Sequence, residues 1–258
     1  MSSVDYASKW VIVGIDGGGA AIEAAKWAAE EAVSRDVPLR LVYVNPVARK
    51  AEPDSGVLQR LEFAESALQR AQAEVQALGK AVDVDTAILR GRPDEVLIEE
   101  SLDAALIVVG SMGTGRTPTT QIGPVAAAVA RAAHCSVAIV RPRTGVETMD
   151  TGWIAAVLND EPDNDAVIHR AMQEARLREA PVLLVDRRED SWIRRYPDVH
   201  VQVAAARPGA TRTFENLCER LDLVVTGGAE ADRLTRLVTP NCHPLLGNAN
   251  CSVLVVRD

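Results

Sequence analysis

Hydrophobic positions along the chain fall into short continuous runs and longer spaced stripes, and the two kinds alternate. Val11–Ile15 is an apolar, β-branched run that reads as a strand buried on both faces. Ala20–Ser34 carries apolar residues at Ile22, Ala25, Ala29 and Val33, the spacing of one helix face. Pro38 introduces a second strand, Leu39–Val44, and Arg60–Leu78 reads as a helix with a polar face. Val82–Leu89 alternates as a third strand, and Asp94–Asp103 follows as a short helix with Pro93 suited to its first position. Leu106–Val109, a helix over Val125–Ala133 and Val137–Val140 complete the set. Strands alternating with helices predict an α/β fold: a parallel sheet with helices on both faces.

The pattern then repeats. Trp10-Val-Ile-Val-Gly-Ile-Asp16 returns 143 positions later as Trp153-Ile-Ala-Ala-Val-Leu-Asn159, and the same offset lays Ala32 on Ala175, Pro38 on Pro181 and Val42 on Val185. Val82–Thr86 matches Val199–Val203 at an offset of 117, which keeps Arg90 on Arg207 and Gly110 on Gly227; Cys135 falls on Cys251 at 116. The second copy is shorter by 26 residues where the first holds Pro46 to about Lys80. This predicts two tandem open parallel five-stranded sheets flanked by helices, Rossmann-like in layout. The first lobe is expected over 1–142, a linker over 143–150, and a second lobe lacking one helix over 151–258. Trp10 and Trp153 are expected to pack at equivalent places.

In such a sheet ligands sit at the carboxyl ends of strands, near the switch point of the strand order. Two loops of the first lobe occupy that position. Gly14-Ile-Asp-Gly-Gly-Gly19 leaves the first strand, and the stretch from Gly110 to Gly123 leaves the fourth. Gly110 and Gly113 allow backbone N–H groups to approach an anion, and Gly123 opens a helix whose N-terminus favours phosphate. Arg116, Thr117, Thr119 and Thr120 supply further donors. Asp16 is placed to accept from a ribose hydroxyl or to hold a divalent ion together with phosphate oxygens. The alternative for any single glycine is a turn requirement; the spacing of both loops together is more specific.

Composition narrows the function. Hydrophobic residues at 47% and charged residues at 25% exclude a disordered chain, and a net charge of −8 with only 3% aromatics argues against a nucleic-acid-binding face. No apolar run approaches the roughly 20 residues of a membrane span. Four widely spaced cysteines (Cys135, Cys218, Cys242, Cys251) offer no CxxC site, and with no recognisable signal peptide the expected location is the cytoplasm, with reduced thiols. Cys135 and Cys251 precede the last strand of each lobe, where packing is the preferred reading. The adjacent Cys242 and His243 are a weak metal pattern, and no histidine lies near Ser111 to make a hydrolytic triad. The charged run Asp186–Arg195, containing Trp192, takes the place of the missing helix and reads as a solvated loop or a docking segment.

At these residues the chain resembles the universal stress protein family in its tandem form. The family's nucleotide motif is a Gly, two residues, a Gly, nine residues, then Gly-Ser or Gly-Thr, and Gly110, Gly113 and Gly123 match it. Val13-Gly-Ile-Asp16 resembles the family's first strand, and Ala133-His-Cys-Ser-Val-Ala-Ile-Val-Arg141 its last. The resemblance implies that Asp16 lies near ribose and phosphate, with magnesium reached through the phosphates. Val44 and Val109 would flank adenine, and Gly110, Gly113 and Gly123 would wrap the phosphates. Gly14 and Gly17, together with Arg116 and Val125, complete the implied contacts. The ligand implied is ATP or another adenine nucleotide, cyclic AMP included. The resemblance further implies that the last strands, Val137–Val140 and Val253–Val256, pair into a pseudo-dimer within one chain, and that chains associate into homo-oligomers, a dimer of pseudo-dimers.

Pro124 departs from the motif, since ATP-binding members carry Ser or Thr there; proline removes both an N–H and a hydroxyl. The second lobe departs further. Asn159 replaces the aspartate, Glu230 stands for Gly113, and Thr239 or Pro240 for Gly123, so a structural role is expected there. Two readings follow. One is a nucleotide-binding regulatory protein of the stress response without substantial catalysis, acting on an unidentified protein partner. The other is a stress scaffold with a dead site that works by association. A sugar-kinase phosphate loop is disfavoured because a helix, not a strand, follows Gly19; a dinucleotide fold is disfavoured because Gly14, Gly17 and Gly19 do not space as GxGxxG.

Overall fold

The apolar runs become strands and the spaced stripes become helices. In chain order these are β1 (Trp10–Ile15), α1 (Gly19–Arg35), β2 (Leu39–Asn45), α2 (Asp54–Ala77), β3 (Val84–Arg90), α3 (Pro93–Glu100), β4 (Ala104–Gly110), α4 (Pro124–Ala132) and β5 (Ser136–Val140). The second half continues with β6 (Trp153–Val157), α5 (Asn164–Arg178), β7 (Val182–Asp186), β8 (Val201–Ala205), β9 (Leu221–Gly227) and β10 (Ser252–Val256). This computed structural model describes residues 9–46, 54–113, 122–142, 152–158, 164–186, 195–205, 221–228 and 251–257. The linker 143–150 lies outside the described residues, as does most of the charged run after Asp186.

The two expected five-stranded parallel sheets are present and are joined edge to edge into one ten-stranded sheet, ordered β3-β2-β1-β4-β5-β10-β9-β6-β7-β8. Within each half every neighbour is parallel, as the strand–helix alternation requires. The halves are joined by the antiparallel pair β5–β10, the pairing the family resemblance implies. Both strands are apolar on both faces and would otherwise be unpaired edges.

The register of that seam reveals its symmetry. Ala138 faces Leu254, and these two are equivalents in the repeat, 116 positions apart. Equivalent residues facing each other place a pseudo-two-fold axis between them. The side-chain bonds obey it. Ser136 Oγ accepts from the Arg257 N–H at 3.1 Å, and its counterpart Ser252 Oγ accepts from the Arg141 N–H at 3.2 Å.

The helices follow the same repeat. Seven alanines of α1 (20, 21, 24, 25, 28, 29 and 32) are buried, so its backbone lies close on the sheet. It ends at Asp36 in the left-handed region (φ 53°), and α5 ends at the equivalent Glu179 (φ 52°). In each, the next amide bonds back five residues, Val37 to Ala32 at 3.0 Å and Ala180 to Ala175 at 2.9 Å. Trp10 and Trp153 open β1 and β6, each at a register irregularity against its neighbour.

Helix α2 buries Ala64, Ala67, Leu68, Ala71 and Val75 against the sheet face it shares with α1. In the second half Tyr196 is buried in the same continuous core, beside Val199 and Val201. Its hydroxyl lies 3.3 Å from His169 Nδ1, and Arg176 lies over its ring. The opposite face of the first half is covered by α3 and α4. Cys251 is buried in the apolar cluster of the second half and Cys135 packs against that of the first, and burial pushes the Cys135 thiol above its ordinary pKa, away from reactivity. Among the described residues no helix is long and apolar enough to cross a membrane.

The seam can be tested directly. Ile139 is buried opposite Val253, so Ile139→Lys places an uncompensated charge between the halves. Urea unfolding is expected to show a loss of roughly 3–5 kcal/mol and a broadened or split transition. A single transition of unchanged midpoint would show that the seam does not hold the halves together.

Candidate functional site

The strand order 3-2-1-4-5 reverses direction between β1 and β4, and the loops leaving these strands meet at that point. Gly14 pairs with Val42 on one side and Val109 on the other, so β1 lies between the two strands expected to flank a base. Strand β2 runs on past the end of β1 to Val44 and Asn45. Val44 and Val109 are both buried on the face covered by α3 and α4, together with Leu97 of α3. Leu97 takes the space over Gly14, where an added Cβ would lie 3.0 Å from its Cδ1. Gly14 therefore makes room for Leu97, a residue the sequence reading did not single out.

The loop after β1 is shaped around Asp16. Its Oδ1 accepts the Gly18 N–H at 2.8 Å, an Asx-type turn that leads into α1. Gly17 adopts φ +86°, which favours glycine, and packs against Phe63 of α2. Arg70 of α2 donates through Nη2 to the Gly17 carbonyl at 2.7 Å. Phe63 also meets Tyr43 edge to face, ring centroids 6.2 Å apart. Burial, and then the nearby Asp16 carboxylate, push the Tyr43 hydroxyl above its ordinary pKa, while Arg60 opposes them; Tyr43 stays a neutral donor. Spacing alone did not show that α2 braces the Asp16 loop, because its polar face reads simply as solvated.

The loop after β4 closes onto this turn. At Gly110 a Cβ would sit 2.8 Å from the carbonyl carbon of Ala20, so the backbone at the end of β4 runs against the first turn of α1. At Gly113 a Cβ would lie 3.2 Å from Asp16 Oδ2. The motif glycine and the aspartate are thus brought side by side at the rim. Ser111 anchors the loop base: its N–H donates to Val140 at 2.8 Å, and its carbonyl accepts the Gly123 N–H at 2.7 Å. The amide of Gly123 is therefore used within the loop, while Gly123 caps α4 and Pro124 occupies the first helical position. The next amides, Val125 and Ala126, have no intrahelical acceptor, as at any helix start. The side chain of Val125 is half-buried against the apolar cluster. Neither α1 nor α4 carries an acidic residue in its first turn, which suits an anion at either helix start.

Arg116, Thr117, Thr119 and Thr120 lie outside the described residues, as do Asn159, Asp160, Glu230, Thr239, Pro240, Cys242 and His243 of the second lobe. Among the described residues no three His, Cys, Asp or Glu side chains gather to hold a metal ion.

Comparison with known proteins places this arrangement. The profile of the Universal stress protein family matches residues 8–141. A universal stress protein of Mycobacterium tuberculosis is 43% identical over 265 residues, covering 96% of each chain. A second from the same organism is 34% identical over 265 residues, covering 95% of each. A universal stress protein from Archaeoglobus fulgidus superposes with a TM-score of 0.71 at 13% identity, over 96% of each chain, and shares the fold. The chain, matched along nearly its whole length, belongs to the universal stress protein family.

Proposed function

We propose that the protein binds an adenine nucleotide, ATP in the leading case, at the β1–β4 rim of its N-terminal half. It would act as a cytoplasmic regulatory component of a stress response, working as a homo-oligomer, and not as an enzyme. The observation that carries this reading is the approach of Gly113 to Asp16, with the Gly110 backbone laid against α1. That approach leaves a bare backbone surface beside a carboxylate at the switch point, the arrangement that holds phosphates and a ribose. Ser111 is buried, and among the described residues the rim presents no histidine beside it, which supports binding without rapid hydrolysis. A bound nucleotide would act by favouring one conformation of the rim loops, which a partner then recognises.

One observation favours a second reading, a scaffold with no nucleotide. The Gly123 amide is already bonded to Ser111, and Pro124 supplies no donor, so the third part of the motif offers less than the sequence pattern suggests. Each missing phosphate-directed bond weakens binding by roughly 1.5–3 kcal/mol, or about tenfold to a hundredfold.

Two substitutions separate these readings by calorimetric titration with ATP and magnesium. Gly113→Asp sets a second carboxylate against Asp16 at an exposed position, so affinity should fall by at least about a hundredfold with the circular dichroism unchanged. Pro124→Ser restores a hydroxyl and an amide at the start of α4 and should tighten ATP by roughly tenfold or more. No heat and no thermal shift at millimolar ATP in the native chain, with none regained in Pro124→Ser, would leave the scaffold reading standing. Competition with cyclic AMP in the same titration identifies the preferred nucleotide.

A further inference from the structure

The two-fold symmetry of the seam is imperfect, and its departures are patterned. The seam strands are nearly the same: Ser136-Val-Ala-Ile-Val140 and Ser252-Val-Leu-Val-Val256 differ only where Ala138 matches Leu254 and Ile139 matches Val255. Ala138 and Leu254 face each other at the pseudo-two-fold axis, and both are buried in the core beneath α1 and α5. A small residue of one half is thus completed by a large residue of the other. On a true two-fold axis two alanines would leave a void, and two leucines would overfill the same space.

The helices over the seam depart from symmetry in the same sense. The offset of 143 lays Glu31 of α1 on Glu174 of α5 and Arg35 on Arg178, but Trp27 on Arg170 and Glu30 on Gln173. Glu31 and Glu174 are each 1% exposed. Arg178 Nη2 lies 2.9 Å from Glu31 Oε1 and 3.0 Å from Glu174 Oε2, and its Nη1 lies 3.1 Å from Glu30 Oε2. Arg170 pairs with both Glu31 and Glu174. Arg35 pairs at 3.4 Å with Glu31 of its own helix, and Lys80, also of the first half, holds the other oxygen of Glu30 at 3.0 Å. Among the described residues, every ion pair that crosses between α1 and α5 therefore has its carboxylate on α1 and its guanidinium on α5. The two mismatched positions set this polarity. Trp27 stands where a reciprocal bridging arginine would be, and its ring lies 4.6 Å from the Arg178 guanidinium instead. Gln173 offers Arg35 no charge.

We propose that each half carries a docking face selective for the other, carboxylates and a small residue on the N-terminal half against arginines and a large residue on the C-terminal half. A second copy of this chain can then enter the seam only through its opposite half. Two C-terminal faces set together would gather two copies each of Arg170 and Arg178 around two buried Glu174 carboxylates. Two N-terminal faces would leave two buried Glu31 carboxylates with the Arg35 of their own helices in place of the bridging arginines. Buried charge without a matched partner is strongly destabilising, so both like pairings are rejected while the unlike pairing is matched in charge and in volume. Association of whole chains must accordingly use another surface or exchange halves. The selectivity is independent of nucleotide binding.

The test gives one full-length chain two like faces. Arg170→Trp, Gln173→Glu and Leu254→Ala put the N-terminal face on both halves; Trp27→Arg, Glu30→Gln and Ala138→Leu put the C-terminal face on both. In urea unfolding, the folded-to-unfolded ratio of each three-change chain should fall by at least about a hundredfold. The chain with all six changes carries both faces again, exchanged between the halves. It should be at least about tenfold better folded than either three-change chain, whereas independent losses would multiply and make it the least stable of all. Refolded together in equal amounts, the two three-change chains should unfold at a higher midpoint than either alone, because each offers the face that the other accepts. A six-change chain that shows the combined losses of its parts, or a mixture no more stable than its components, overturns the proposal. Should a three-change chain fail to fold, Ala138→Leu and Leu254→Ala, singly and together, make the same comparison at the axis.

Discussion

The antiparallel pairing of β5 with β10 is the contact on which the remaining architecture depends. A parallel five-stranded half ends in a strand that is apolar on both faces, and such an edge is not stable against water. Pairing the two edges about a pseudo-two-fold axis solves the problem for both halves at once. Val137, Ile139, Val253 and Val255 pack on the α4 side, while Ala138, Val140, Leu254 and Val256 join the core beneath α1 and α5. The same register that sets Ala138 against Leu254 also brings α1 and α5 together and aligns Glu31 with Glu174. Seam and charge cluster are two consequences of one symmetry.

An antiparallel seam also decides where ligands can sit. The carboxyl ends of β1–β5 point to one edge of the sheet and those of β6–β10 to the other, so the two equivalent rims face opposite ways. The fold can therefore keep a glycine-lined rim in one half while the other carries Glu230 and Pro240 at the matching sequence positions. The fold needs the strands and α1-type helices to match, and they do, down to the left-handed stops at Asp36 and Glu179.

How much was legible in the sequence follows from where the information lies. Strands buried on both faces read as continuous apolar runs, so β1, β2, β4 and β5 fall within a residue or two of the expected positions. Helix ends were less clear. Helix α2 begins at Asp54, before the expected Arg60, because Asp54, Ser55 and Gly56 are weak helix formers and the two adjacent apolar residues Val57 and Leu58 show no helical period by themselves. Helix α3 stops at Glu100 instead of Asp103, where Ser101 turns the chain by bonding the Ile98 carbonyl and accepting the His134 amide. At the rim, the spacing of Gly110, Gly113 and Gly123 located the loop, but only packing shows that the Gly123 amide is consumed by Ser111 and that Leu97 lies over Gly14. The Glu31–Glu174 pair was hidden by a sound general rule, that helical glutamates face water. The clue was nevertheless present, since the offset that matches Trp10 with Trp153 also matches Glu31 with Glu174 and Arg35 with Arg178.

Helix α1 is the element that the rim and the seam have in common. Its first turn lies against Gly110 and receives the chain from the Asp16 turn, and its last turns carry Glu31 and Arg35. From Gly19 to Glu31 the helix rises about 18 Å, at roughly 1.5 Å per residue. Its buried face is almost wholly alanine, with no large side chains to interlock with the strands below. The alanine face lies on the strands along its whole length, and the two ends add the backbone contact at Gly110 and the ion pairs reaching across from α5. The symmetry of the seam thus sets the position of one end of the helix whose other end packs against the rim.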